Sequence, residues 1–361
     1  MDDQVDVAAL VLKAIKEARR DLPKVNVLIA GRTGVGKSTL INSVFRGDFA
    51  TTGQGKPVTK RTRKISKKGV PLVIWDTRGL ELDDFPTTRD ELLTFVEKRA
   101  ASEKAKRHIH VAWLCIAEDG RRVEDAEVDL GDALAAHMPV LGVITKARSD
   151  DGFRAEVQRL LPNTKNIVRV RARAETLDGG YSLAPMGLDD LVEATDGLLP
   201  EAFQRAFAAA QKVSLRKKEQ QAQKVVAVAA TAAGAAGASP IPFSDAPILM
   251  TIQIGMLARI SAIYGLESTR EFLTVLAAAV LGTGAATLAG RVIVTNLLKL
   301  FPGAGTIVAG AISATTASTL TVTLGETYIA ALNAVYATAD GVSPTADDVL
   351  REFKRRLSSG H

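Results

Sequence analysis

The stretch Val25–Ser43, VNVLIAGRTGVGKSTLINS, constrains this chain more than any other. Val25–Ala30 is a β-branched and aliphatic run that predicts a strand; it stops at a glycine turn, and a helical pattern begins at Lys37 with no spare residues. Within that strand, loop and helix, Gly31, Gly36, Lys37 and Ser38 fill every fixed position of G-x-x-x-x-G-K-[ST]. Glycine is needed where main-chain N–H groups turn inward to wrap a phosphate chain, because a Cβ would obstruct them. The expected nucleotide-binding positions are therefore Gly31, Thr33, Gly34, Val35, Gly36, Lys37, Ser38 and Thr39. Lys37 brings a point charge to the β- and γ-phosphates, the Ser38 hydroxyl suits Mg²⁺, and the following helix aims its N-terminus at the anion.

Three later segments extend this pattern. Gly47–Val58 is a loop rich in Gly and Thr that ends in GKPVT, with Thr59 some twenty residues past Lys37 and just before the strand-like Thr62–Ile65. A threonine there reaches Mg²⁺ and the γ-phosphate only while that phosphate is present, which makes the loop a switch. Val70–Trp75 reads as an apolar strand running into Asp76-Thr77-Arg78-Gly79. Asp76 suits a carboxylate that holds the metal through water, and Gly79 an amide that touches the γ-phosphate. The expected catalytic set is Lys37, Thr59, Asp76 and Gly79, with Ser38, Thr59 and Asp76 around the metal. Val140–Thr145 reads as a further buried strand, closed by Thr145-Lys146-Ala147-Arg148. Thr145 and Lys146 are expected near the base, where a guanine-specific domain commonly has [NT]-K-x-D. Arg148 stands at the carboxylate's place, and an arginine can accept no hydrogen bond from a guanine edge. Either Asp150 or Asp151 curls back to serve, or base selectivity is relaxed.

Between these motifs, residues 87–105 and 121–137 read as helices, and His108–Ala117 and Asn166–Val170 as strands. Such alternation predicts an α/β unit with a mainly parallel sheet and helices on both faces, its strand ends and loops gathered at one edge. His108 and His110 share one predicted strand face with no acidic or thiol partner at ligand spacing, so they and His137 read as structural. Trp113 and Cys115 read as core. Residues 3–20 carry an amphipathic stripe of Val7, Val11, Ala14, Ile15 and Ala18, expected to dock on the nucleotide unit or on helices further along.

After an amphipathic pattern over Leu188–Gln211, interrupted near Gly197 and Pro200, the basic run Lys212–Lys224 precedes a change of composition. Val225–Ser244, Phe272–Gly290 and Leu300–Gly325 carry no formal charge and are rich in Ala, Gly, Val and Thr. Each approaches the roughly 20 residues that span a bilayer. Their small residues fit equally a helical bundle that is soluble or reversibly membrane-bound and one that inserts permanently. Thr345–Leu357 forms a final amphipathic helix with Thr345 and Asp348 in capping-box spacing. The expected division is 1–23 for an N-terminal helix, 24–205 for the nucleotide domain, 206–344 for an Ala/Gly-rich all-α domain, and 345–361 for the last helix with Ser358–His361 as a tag remnant.

A single cysteine in 361 residues leaves no internal disulfide framework, and the acidic opening MDDQVDVAAL lacks the pattern of a signal peptide. The expected location is the cytoplasm, with the inner face of the cell membrane as a further station. The formal charge of +6 keeps anionic partners open.

GRTGVGKSTLINSVF at 31–45, with PVT at 57–59, DTRG at 76–79 and TK at 145–146, resembles the P-loop GTPases of the translation-factor-related class, in their Era/TrmE-like branch. The resemblance covers about residues 24–205 and implies a GTP/GDP switch that uses Mg²⁺ and hydrolyses slowly unaided. Gly34 stands where potassium-stimulated members have Asn, and Leu80 follows Gly79 where Ras-like proteins have a water-positioning Gln. Gln54, Arg32, Arg78 or a residue of a second subunit remain candidates for that task. PIPFSDAPILMTIQIGMLARISAIYG at 240–265 and FPGAGTIVAGAISATTASTLTVTLGETYI at 301–329 resemble the YcjF-like domain that accompanies some bacterial GTPases. An anionic membrane surface and a homo-oligomer are implied partners. RNA is the alternative, through Lys60, Arg61, Arg63, Lys64, Lys67 and Lys68, and no DNA partner is expected.

Overall fold

The computed structural model describes residues 7–47, 49, 63–77, 85–237, 245–266, 272, 276, 313–338 and 344–359. The chain divides into two compact units: Pro23–Ser214 forms one, and α1 with the chain from Leu215 onward forms the other.

In the first unit, β1 (Val25–Ala30), β2 (Arg63–Ser66), β3 (Leu72–Asp76), β4 (Val111–Ala117), β5 (Val140–Thr145) and β6 (Asn166–Arg169) make a six-stranded sheet in the order β2-β3-β1-β4-β5-β6. All pairings are parallel except β2 with β3. Every residue of β1 and β5 is buried, which fits their unbroken apolar runs rather than an alternating pattern. Helices α2 (Lys37–Val44), α3 (Phe85–Ala100), α4 (Asp125–Ala135), α5 (Phe153–Leu160), α6 (Leu188–Leu198) and α7 (Glu201–Ala210) flank it. On one face Leu28, Trp75, Ile116 and Ile144 pack with Leu92, Val96, Leu130, Leu134 and Val157 from α3, α4 and α5. On the other, Trp113 stacks on Phe45 at 5.6 Å, Phe45 meets Phe207 edge-on at 6.1 Å, and the Trp113 indole donates to Thr195 Oγ1 at 3.1 Å.

Two features depart from the expected elements. β4 starts at Val111, so His108 and His110 lie before the strand rather than on one of its faces. They are pinned to backbone there: Asn26 N–H donates to His110 Nδ1 at 2.8 Å, and His108 Nε2 meets Ser102 O at 2.6 Å. Second, a small antiparallel hairpin of β7 (Glu175–Thr176) and β8 (Ser182–Leu183) follows β6. The break near Pro200 separates α6 from α7 as the sequence indicates.

The second unit packs α1 (Val7–Arg20), α8 (Leu215–Gly237), α9 (Asp245–Tyr264), α10 (Ala314–Ala337) and α11 (Ala346–Ser359). Helix α1 lies on α9, with Val11, Ala14 and Ala18 buried and Arg259 bonded to Asp21 at 2.8 Å, which settles its docking on the later helices. A carbon added at Gly325 would lie 2.5 Å from Val226, so α8 and α10 touch through a glycine. Ser261 Oγ and Tyr328 Oη share a buried hydrogen bond of 2.7 Å between α9 and α10. In α11, Thr345 and Asp348 make the expected reciprocal cap, at 3.1 and 3.2 Å. Ser358 and Ser359 continue this helix as its last turn. Among the described residues no helix is long and apolar enough to cross a membrane, and most of 272–312 falls outside them.

Candidate functional site

Parallel pairing in register brings the C-terminal ends of β1, β3, β4 and β5 to one edge: Ile29 lies beside Asp76, Ala30 beside Leu114, and Ala117 beside Thr145. The loop Gly31–Gly36 leaves β1 there and enters α2. Gly31, Gly34 and Gly36 have φ of 140°, 80° and 101°, where side chains are rare. A Cβ at Gly31 would also lie 2.3 Å from the Cys115 carbonyl oxygen. Val35 is buried under the loop, while Thr33 and Gly34 are exposed and Lys37, Ser38 and Thr39 are half-buried in the first turn of α2. Lys37 Nζ donates to the carbonyls of Gly31 at 2.5 Å and Arg32 at 2.9 Å, so its charge sits over the loop.

Asp76 ends β3 as a buried carboxyl whose Oδ1 has no hydrogen-bond partner, and the neighbouring Thr77 Oγ1 is equally orphaned. Burial pushes the Asp76 pKa up, against the opposing charges of Lys37 and Arg63. Two unmet polar atoms beside the phosphate loop fit a hydrated cation and an anion, since buried polar groups without partners are costly. Thr59, Gly79, Gln54 and Arg78 lie outside the described residues. Arg32 pairs with Glu124 at 3.3 Å. Among the described residues no group of His, Cys, Asp and Glu could hold a metal as a cluster.

The third corner lies where β4, β5 and β6 end. Thr145 Oγ1 donates to Val35 O at 2.5 Å and Ile116 O at 3.2 Å, which ties the T-K-x-R segment to the phosphate loop. Lys146, in the left-handed region, reaches Asp119 at 2.8 Å. Buried Glu118 takes the backbone N–H groups of Arg148 and, at 3.0 Å, Ser149, and Arg169 Nε at 2.7 Å. Arg148 reaches out to Glu175 on β7 through both Nε, at 3.0 Å, and Nη2. Asp150 accepts Arg154 N at 2.8 Å, and Asp151 accepts Ser149 Oγ and Arg121, each at 2.8 Å, so both carboxylates are held by local partners. Sequence reasoning passed over Glu118, Asp119 and Glu175. The acidic pair directly after a buried strand was a signal for the first two; Glu175 lies in a segment with no periodic pattern.

Residues 26–146 match the family described as 50S ribosome-binding GTPase, and residues 203–359 match the Domain of unknown function DUF697. The chain carries a GTPase-family domain. It is 38% identical over 112 residues to the tRNA modification GTPase MnmE of Zymomonas mobilis, covering 28% of this chain and 22% of that protein. It is 27% identical over 175 residues to the GTPase Der of Parvibaculum lavamentivorans, covering 44% of this chain and 35% of that one. The chain thus spans well under two thirds of these relatives. Among solved structures, Era of Aquifex aeolicus bound to GDP.AlF4- is similar with a TM-score of 0.36 and 22% identity, over 58% of this chain and 67% of that one. The matched residues 26–146 lie within the sheet-bearing unit, and the phosphate loop and Thr145-Lys146 fall among them.

Proposed function

We propose that the chain binds and hydrolyses GTP at the edge formed by Gly31–Thr39, Asp76 and Thr145-Lys146, and that the nucleotide state is passed to the helical unit. The observation that carries this reading is the phosphate loop: three glycines at positive φ lead into α2, with the Lys37 ammonium drawn onto loop carbonyls where a phosphate chain would compete for it. Ser38 and the unmet Asp76 Oδ1 would hold Mg²⁺, together with Thr59. Bound there, the ion offsets charge on the β- and γ-phosphates. Lys37 adds its charge to the same oxygens, Gly79 offers an amide to the γ-phosphate, and loss of the Thr59 and Gly79 contacts on hydrolysis releases the switch.

Bonds at the far end of α2, all within the sheet-bearing unit, support the reading that the nucleotide state is passed on. Helix α2 starts at the phosphate loop, and its far end is bonded to the last residues before α8: Arg46 N–H donates to Ala210 O at 3.1 Å and Lys212 N–H to Val44 O at 2.9 Å. Lys37→Ala tests the site. Titration with labelled GTP is expected to show affinity lowered roughly tenfold to hundredfold or more, the worth of a charge-assisted contact to phosphate, with the circular dichroism spectrum unchanged. Unchanged affinity would remove the assigned site.

A second reading, reversible attachment to an anionic membrane, is supported by Arg216, Lys224 and Val228, all exposed on α8. Flotation with vesicles containing anionic lipid, with and without GTP, is expected to lift the protein. Protein left at the bottom of both gradients would exclude this attachment.

A further inference from the structure

The corner that would face the base lacks its usual acceptor, yet it does not lack a carboxylate. Arg148 occupies the fourth position of the T-K-x-R segment, whose first residue is bonded to the phosphate loop. Its backbone is fixed by buried Glu118, and its guanidinium grips Glu175 side-on, Nε to Oε2 at 3.0 Å and Nη2 to Oε1. The hairpin that bears Glu175 is fastened to the same loop. Arg171 Nη1 donates to Ala147 O at 2.7 Å, Arg171 Nε donates to Ala184 O at 2.6 Å, and Arg171 and Met186 exchange backbone hydrogen bonds, each 3.0 Å. A carboxylate is therefore carried one side chain beyond the position where the motif would place it.

We propose that Glu175, presented by Arg148 as a positioning residue, is the group that selects a guanine base. This rests on the nucleotide site described above and names what gives it base preference. An ionised carboxylate offers about four acceptor positions. Arg148 takes one on each oxygen, which leaves one on each. A guanine edge brings two adjacent N–H donors to them, whereas an adenine edge brings one N–H and a bare ring nitrogen that repels the second oxygen. The other carboxylates nearby are held by different partners: Asp150 bonds Arg154 N at the start of α5, Asp151 binds Ser149 and Arg121, and Asp119 pairs with Lys146, so the carboxylate held on the Arg148 guanidinium is that of Glu175. The ion pair is half open to solvent, with Arg148 55% and Glu175 31% exposed in their side chains, so a ligand can approach it.

Competition of GDP and ADP against a labelled nucleotide on the full chain tests this. The wild type is expected to prefer GDP. Glu175→Ala and Glu175→Gln are expected to cut that preference roughly tenfold to hundredfold, the discrimination carried by a two-bond edge contact, while ADP affinity stays unchanged. Arg148→Ala is expected to shrink the preference as well, and the double variant Arg148→Asp with Glu175→Ala to restore it. A variant that merely loosened the hairpin would weaken GDP and ADP alike and leave their ratio intact. An intact ratio in both Glu175 variants overturns the proposal, as does a wild type without preference, or a ratio that moves with Asp119→Asn and not with Glu175. Failure of the wild type to bind either nucleotide strikes the nucleotide site itself, and this inference falls with it.

Discussion

At the scale of single residues, His110 makes a measurable statement. Its Nδ1 accepts the Asn26 N–H at 2.8 Å, its Nε2 faces Ala105 O at 3.2 Å, and its ring lies 3.9 Å from that of Phe203. Only the neutral ring has a lone pair for Asn26. Burial pushes the pKa down to about 4, with His108 adding to the fall and the Ala105 carbonyl opposing it. Because the unfolded chain titrates near about 6.5, it binds more protons than the folded one between that value and the depressed one. The contribution is then full above pH 6.5 and lost as pH falls towards 4, amounting to about 3 kcal/mol. Urea melts of wild type and His110→Gln at pH 7 and pH 4.5 are expected to lie further apart at pH 7. Equal separations at both pH values would refute it. The sequence indicated that this histidine is structural, because no ligand-type residue stood at suitable spacing. It could not indicate the Asn26 contact, which spans 84 residues and exists only once β1 and β4 pair.

Elements were legible where one force dominated. β1 and β5 came from apolar runs, α2 from the glycine turn, and α11 from its cap, all local signals. The β7–β8 hairpin was not legible, because two-residue strands have no period and its Asp178-Gly179-Gly180 turn promises only a reversal. In the Ala-rich helices the sequence showed that close packing was allowed but not where it occurs. Gly325 is the point of contact, with a built Cβ meeting Val226 at 2.5 and 3.0 Å and Met256 Sδ at 3.2 Å. Gly325→Val must push α8 from α10, and overpacking of this kind costs about 1–3 kcal/mol. Gly325→Ala supplies a graded comparison. Thermal melts are expected to rank the chains glycine, alanine, valine from most to least stable. Here the higher helix propensity of alanine works the other way, by up to about 1 kcal/mol. A stabilised valine variant would mean that the helices do not approach so closely.

For the whole molecule, the proposed switch requires that a phosphate bound at the loop be felt at the far end of the sheet-bearing unit. The GTPase motifs and the change of composition after Lys224 were plain in the sequence, but the turn that ends the sheet-bearing unit was not, since it depends on a buried polar side chain. Gln211, in the turn that follows α7, is fully buried. Its Oε1 accepts Val213 N and Ser214 N, each at 2.8 Å, and its Nε2 donates to Ser214 O at 2.8 Å, while its backbone bridges to Phe45 at the end of α2. The side chain thus closes the turn at 211–214, while the backbone of the same residue meets the residue that follows α2. Gln211→Ala strands those buried amides, at about 1–3 kcal/mol for each group left unpaired. It should therefore loosen residues 211–214 before it affects the glycines at the other end of α2. Hydrogen exchange is expected to reveal nucleotide-dependent protection in the first turns of α8 of the wild type. In Gln211→Ala that dependence should fade while the affinity for nucleotide stays within about threefold, because the substituted residue lies at the opposite end of α2 from the loop. Protection in α8 that still follows the nucleotide in the variant would show that the signal travels by another path.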